Sequence, residues 1–423
     1  MRTALVSAPW TSGLPGLVNA LSHPSTGSPF PTLQAAHDYV AALPSRGQLY
    51  IPPAPAGAYA VDSTPAYTGL AVANNVTVFG DGQECSRMTL LGQDPDLDCL
   101  TVEGSKVTIE GIGITGQGVA GDGVGVRFVN GGDPQRHAWL RDCLIEHPAS
   151  WAVYFTGDPG TDITILSGLE RVRIQHLHSK GAAYIGPGCT TIRFSCVNMA
   201  VSPGTGYPIV RVEGAEQCIF NDDCSFESTT DEHYFEWLTG GQLLMGLTVE
   251  NCYFETHHAA PTQQLIHAGG AGGALVGGYW GKNIMKRYPE GVGAQNGNKP
   301  LIMKVDGDGP HYGLTLEHNR IYENRNGSTP QDDITITGQH EVILIKNTIY
   351  SRANGVARAL QCTGNTAGVL DWDHKRFMFP RLGANPGSNL QGSAFRDIIA
   401  AGTKQFTGAA WQTLATTGVE EEE

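Results

Sequence analysis

The chain has 423 residues, 40% of them hydrophobic and only 16% charged, with 55 glycines and 24 prolines. That balance excludes a disordered chain, and so much glycine and proline suits a protein that turns a corner every few residues better than a helical one. A net charge of −14 and a pI near 5.4 argue against nucleic acid and anionic membrane surfaces as partners.

Residues 1–29 read as an irregular arm. Met1–Pro9 has no apolar run long enough for a signal peptide, and no stretch approaches the roughly 18 apolar residues of a membrane span. Pro31–Leu43 (PTLQAAHDYVAAL) is the clear amphipathic helix of the chain. Thr32 is placed to cap it, Leu33, Ala36, Val40 and Leu43 form its apolar stripe, and Pro44 ends it. Gly47–Pro53, Ala58–Val61 and Asn75–Gly82 then read as short strands. A stack of strands exposes a hydrophobic end and an unpaired edge, so the helix over 32–43 is expected to be a cap.

Further on, one phrase recurs. Leu140–Glu146 (LRDCLIE), Asn221–Glu227 (NDDCSFE), Val249–Glu255 (VENCYFE), Leu316–Glu323 (LEHNRIYE) and Leu344–Tyr350 (LIKNTIY) each set a small Cys or Asn two residues before an apolar one. Marking the last apolar residue gives Ile145, Ile174, Met199, Phe226, Phe254, Ile321 and Ile349, spaced by 29, 25, 27, 28, 67 and 28 residues. The long interval is expected to hide a degenerate turn at Leu275–Trp280 (LVGGYW). A period in the twenties with two-residue alternation predicts stacked β coils, with Gly, Asn and Asp at the corners and the inward Cys and Asn forming a ladder. None of the nine cysteines forms a CxxC pair, which argues against a zinc ribbon. An odd number of mostly core thiols suggests maturation in a reducing compartment. After Ile349 the repeat fades. Leu370–Pro380 (LDWDHKRFMFP) is expected to cover the last coil with Trp372, Phe377 and Phe379, and 381–423 reads as a linker and an acidic tail.

The order FPTLQAAHDYV, GQLYIPP, AYAV, NVTVFGDG over about residues 30–115 resembles the opening of the pectate-lyase-like right-handed parallel β-helix superfamily. The resemblance implies an all-β, right-handed parallel β-helix over 30–380 with an N-terminal capping helix. It also implies a family that mostly binds, cleaves or epimerises acidic polysaccharides, viral tailspikes among them. It carries no reaction with it, because fold does not fix function. The clustered aspartates and Arg base of pectate lyases are not legible here. Of the polygalacturonase pattern only Asn221-Asp222-Asp223 resembles a fragment.

Geometry supplies the candidate site. Equivalent residues on adjacent coils stand about 4.8 Å apart, and glycosidases need carboxyl pairs about 5–5.5 Å or 6.5–9.5 Å apart. Glu227 and Glu255 share one repeat position, with Glu146 further up the same column. Asp222, Glu250 and Glu317 share another, with Asp223 beside them. Stacked like charges raise one pKa and keep a proton donor near neutral pH. Asp222, Asp223, Glu250 and Glu255 are therefore the expected acids and bases, with His257 or His233 as helper. Glu227, His233, Tyr234, Trp237, Tyr253 and His258 are the expected sugar contacts, in a lateral groove walled by Ser228–Tyr234 and Thr256–Thr262. Outward Glu on a solenoid is also ordinary solvated surface, and buried aromatics near a corner are ordinary packing. A basic cluster in Gly281–Gly313 (Lys282, Lys286, Arg287, Lys299) could hold an anionic sugar or a neighbouring subunit.

The expected function is thus a polysaccharide-degrading hydrolase or lyase. The alternatives are a non-catalytic glycan-binding or virion β-helix protein and a uronate epimerase. No cofactor or metal is called for, with calcium left open. The expected location is secreted or virion-associated, and the expected assembly is a homotrimer packed side by side.

Overall fold

The computed structural model describes residues 16–378 except 45–46, 55–56, 91–93, 130–135, 158–163, 176–179, 230–231, 257–262, 288–301, 324–333, 339, 352–359, 364–368 and 373–374, together with 404–406 and 411–413. His257, His258, Asp231, Lys299 and Phe379 lie outside the described residues. The chain divides into two compact units, Met1–Ala183 and Tyr184–Glu423.

In the first unit the helix spans Leu33–Ala41, and the Thr32 hydroxyl accepts from the Ala35 N–H at 3.0 Å as an N-cap. Leu33, Ala36 and Val40 are buried beneath it. Gln34 and His37 bond to a strand at Leu70–Val72: Gln34 Oε1 accepts from the Ala71 N–H at 2.8 Å, and His37 Nε2 accepts from the Ala73 N–H at 3.1 Å. Leu17–Asn19, within the stretch expected to be an irregular arm, forms a strand that pairs in parallel with Gln48–Tyr50.

Both units are built coil upon coil as a parallel β-helix, each coil giving one short strand to each of three sheets. In the first unit, Val78, Ile109, Leu140 and Leu169 stack through the first sheet. Met88, Ile114, Ile145 and Ile174 stack through the second. Leu100 and Val102, Val126 and Phe128, and Val153 and Phe155 stack through the third. Alternation turns each of these residues inward, and all are buried. Burying each such side chain stabilises the fold by roughly 1.5–3 kcal/mol. Successive coils lay like on like: the Phe128 and Phe155 rings stack at 4.2 Å.

The second unit repeats the scheme. Phe194, Phe220, Val249, Trp280, Leu316 and Leu344 form the inward column of the first sheet. Met199, Phe226, Phe254, Met285, Ile321 and Ile349 form the register column of the second. The coil missing from the sequence period is therefore marked by Met285. Leu275 and Trp280 belong to first-sheet strands of that same coil, ahead of the mark. The expected terminal cover is also another coil: Val369–Trp372 and Lys375–Met378 continue the first and second sheets in parallel. Arg376 stands opposite Ile349, so no apolar mark announces this coil in the sequence. Lys404–Phe406 and Trp411–Thr413 add two short antiparallel strands in the stretch expected to be linker and tail.

The predicted ladder is present at the corner between the first and second sheets. Cys143, Cys224 and Cys252 are buried there, and so are Asn283, Asn319 and Asn347. The asparagines bond in series. The backbone N–H groups of Cys252, Asn283 and Asn319 donate to Oδ1 of Asn283, Asn319 and Asn347 at 2.8, 3.0 and 3.1 Å. Each Nδ2 reaches back to a carbonyl, of Val249, Trp280 and Leu316 in turn. At the opposite ends of these first-sheet strands, His311 and His340 are fully buried and stacked at 4.4 Å. Each Nδ1 accepts a backbone N–H, from Leu275 and from His311. Each Nε2 faces a carbonyl at 2.9 Å, of Asp306 and of Thr337, so both rings are bonded as neutral imidazoles.

Candidate functional site on the third sheet

The acids expected to act together are dispersed. Asp222 and Asp223 occupy the corner after Cys218–Asn221, both with positive φ, 55° and 65°. Equivalent corners carry one such residue, Asn251, Lys282 or His318. This corner holds an extra residue, and Phe220 pairs with Val249, so Asn221 rather than Asp222 comes level with Glu250. Asp222 is engaged by Arg193 and by the Ser195 hydroxyl, each at 2.9 Å. Glu250 accepts from Lys282 at 2.6 Å. Glu317 is separated from Glu250 by Gly281 on the intervening strand.

Glu227 and Glu255 do pair across neighbouring strands of the second sheet, with Lys286 next in the column. Lys286 donates to Glu255 at 2.6 Å and the Tyr253 hydroxyl also donates to it, so this carboxylate is tied at both sides. Burial and the adjacent Glu255 push the Tyr253 hydroxyl up to about 12. Glu146, in the first unit, is bonded to Arg87 and Gln175.

Two expected sugar contacts are core residues. Tyr234 and Trp237 are each 1% exposed. The Tyr234 hydroxyl donates to the Ser228 carbonyl at 2.7 Å, and Trp237 packs edge-on against Trp280. Alternation along Phe235–Leu238 turns Phe235 and Trp237 inward and leaves Glu236 on the outer face. Neither of these two rings offers a face to a sugar.

That outer face of the third sheet gathers the chemistry. Strand register sets Arg211, Glu236, His267, Lys304, Thr335 and Gln361 in one column, the first five each at the centre of an inward-facing pair. Arg211 donates to Glu236 Oε2 at 2.7 Å. His267 lies between two carboxylates, with Nε2 2.8 Å from Asp306 Oδ1 and Nδ1 3.6 Å from Glu236 Oε1. Lys304 pairs with the other oxygen of Asp306. His233, at the end of the loop leading into this sheet, approaches His267 with ring centroids 4.8 Å apart, and its Nδ1 is 2.9 Å from the Gln264 carbonyl. One nitrogen from each histidine and one Glu236 oxygen lie within 4.8 Å of one another, the single such grouping of potential ligands among the described residues.

The two histidines are driven apart electrostatically. Burial, with the neighbouring His267, lowers His233 to about 4. Burial also works against a charged His267, but its bond to Asp306 and the nearby negative charge of Glu236 outweigh that and hold it above the ordinary value. Burial alone would raise both carboxylates. Instead His267 and Arg211 bring Glu236 below its usual range, and His267 and Lys304 bring Asp306 far below. Sequence reasoning placed His233 near a site and missed Glu236, His267, Asp306, Arg211 and Lys304. A signal was present: Val-Arg-Val, Phe-Glu-Trp, Ile-His-Ala and Met-Lys-Val each set one polar residue between two inward ones.

No protein-family model and no curated protein matches the chain. Solved structures similar to it include the catalytic domain of a GH87 alpha-1,3-glucanase in complex with tetrasaccharides, at 11% identity and a TM-score of 0.48, covering 85% of this chain and 71% of that one. A thermostable GH87 alpha-1,3-glucanase from Streptomyces thermodiastaticus gives 13% identity and a TM-score of 0.41, covering 82% and 67%. The A-module of a mannuronan C-5 epimerase from Azotobacter vinelandii gives 13% and 0.41, covering 83% and 92%. Likeness at this level leaves the chemistry to be argued from this chain's own residues.

Proposed function

We propose that this chain is a polysaccharide-cleaving enzyme that binds an acidic glycan along the outer face of the third sheet, with Glu236, His267 and Asp306 as its reactive centre. The observation that carries the reading is the register column from Arg211 to Lys304. One coil advances by about 4.8 Å, close to the length of one pyranose residue in an extended chain, so groups on successive strands meet successive sugars. Arg211 and Lys304 bracket the column with positive charge and suit a carboxylate-bearing sugar. Between them, two carboxylates and an imidazole supply groups that take up and return protons. Glu236 and His267 lie on the coils marked by Phe226 and Phe254, and Asp306 on the coil marked by Met285, on or just past the sheet that follows the one carrying Glu227 and Glu255.

The test is digestion of a panel of acidic and neutral polysaccharides, read as new reducing ends and as ultraviolet absorbance from unsaturated uronate. Reducing ends alone report hydrolysis, and both together report a lyase. Glu236→Gln and Asp306→Asn should each lower the rate by about 10²–10⁴-fold. Loss of activity in Asp223→Asn or Glu255→Gln with Glu236→Gln unaffected would move the site to the second sheet. Binding without cleavage of any glycan would reduce the protein to a glycan-binding module.

A further inference from the structure

We infer that His233, Glu236 and His267 bind a divalent transition-metal ion of borderline softness, zinc being the type case. Each ring is already fixed through the nitrogen it does not need for a metal. His233 Nδ1 faces the Gln264 carbonyl at 2.9 Å, so the proton sits there and Nε2 keeps its lone pair. His267 Nε2 faces Asp306 at 2.8 Å, so a proton held there leaves Nδ1 as the lone-pair nitrogen. An imidazole that donates one N–H to a carbonyl or carboxylate while presenting the other nitrogen is the arrangement that orients metal-binding histidines.

Glu236 is divided in the same way. Its Oε2 accepts from Arg211, while its Oε1 stands 3.6 Å from His267 Nδ1. That separation is too long for a hydrogen bond, and His267 Nδ1 is a buried atom without a hydrogen-bond partner. It suits two ligands of one ion, since donors about 2.0–2.2 Å from a tetrahedral metal stand roughly 3.3–3.6 Å from each other. Two imidazole nitrogens and one carboxylate oxygen fit zinc and its first-row neighbours. Calcium, left open by the sequence, takes six to eight oxygens, and this donor set does not fit it. Three protein ligands would leave a position for water or a substrate oxygen. None of this requires the substrate to be a glycan.

The test uses the full chain stripped with a chelator, titrated with Zn²⁺ by calorimetry and with Co²⁺ by visible absorption. One equivalent per chain is expected, with the cobalt bands of a low-coordinate site. His233→Ala and His267→Ala should lose that equivalent and those bands. Asp306→Asn supplies no ligand and should weaken binding about 10–100-fold, which keeps the test decisive should an alanine variant fail to fold. A wild-type chain that takes up neither ion at micromolar concentration overturns the inference. So does uptake unchanged across all three variants, or calcium displacing zinc. Glycan cleavage by a chain that binds no metal would sink this inference alone. Metal uptake without cleavage of any glycan would sink the enzymatic reading and leave this one standing.

Discussion

Trp237 shows what a single side chain can hide from sequence reasoning. An aromatic beside acids and histidines reads as a sugar platform, yet here it is sealed in the core against Trp280. Trp237→Ala should therefore destabilise the fold by about 3–5 kcal/mol, measured by urea denaturation. A ring that only held sugar would leave the midpoint unchanged. Phe235 and Trp237 are both inward, and that fact was available from the alternation once Glu236 was taken as the outward residue. The corner residues were less legible. Gly, Asn and Asp were expected there, but Arg171, Cys196, Lys282, His318 and Lys346 also take left-handed backbone, with φ between 48° and 56°. For such residues that conformation costs roughly 1–2 kcal/mol, so packing of the coils rather than local preference sets the corner.

At the scale of the element, the asparagine ladder was readable because Asn319 and Asn347 recur at one position, and Asn283 joins them once Met285 is recognised as the next mark. Asn319→Ala removes the acceptor of the Asn283 N–H and the donor to the Trp280 carbonyl, both buried. Each orphaned group costs about 1–3 kcal/mol, so a large drop in unfolding free energy is expected. A variant as stable as the parent would show that the ladder is ornamental. The third-sheet column stayed hidden because its members differ in type, Arg, Glu, His and Lys. Repetition of a residue is visible in a sequence, whereas repetition of a position is visible only after the strands are aligned. The one-residue excess at Asp222-Asp223 broke the expected alignment of Asp222 with Glu250 at the end of the first sheet in the same way.

For the whole molecule, acid sensitivity should follow from the buried histidine stack. Burial and the adjacent His340 hold His311 down at about 4, and burial lowers His340 too. In the unfolded chain each would take a proton near pH 6.5. Their contribution is therefore complete above pH 6.5 and is lost as the pH falls from 6.5 toward 4. His267 acts in the opposite sense, its raised value favouring the fold below pH 6.5 and fading as the pH rises through it. Three lowered histidines, His233 among them, against one raised predict a net decline in stability from pH 7 to pH 5, read from denaturant midpoints. A flat profile would show that the stacked rings protonate without loss of structure.

The ladder also has a direction. The backbone N–H of Asn283 waits on an oxygen of Asn319, and that of Asn319 on an oxygen of Asn347. Every acceptor lies in the coil that comes later in the sequence, and every Nδ2 reaches back to finish a carbonyl of the coil before it. A ribosome delivers these coils from the amino end, so each emerges with its inner corner open and is closed by its successor. Growth of this corner is a zipper whose teeth engage one coil behind synthesis, and a chain halted after any coil leaves that last tooth unmet.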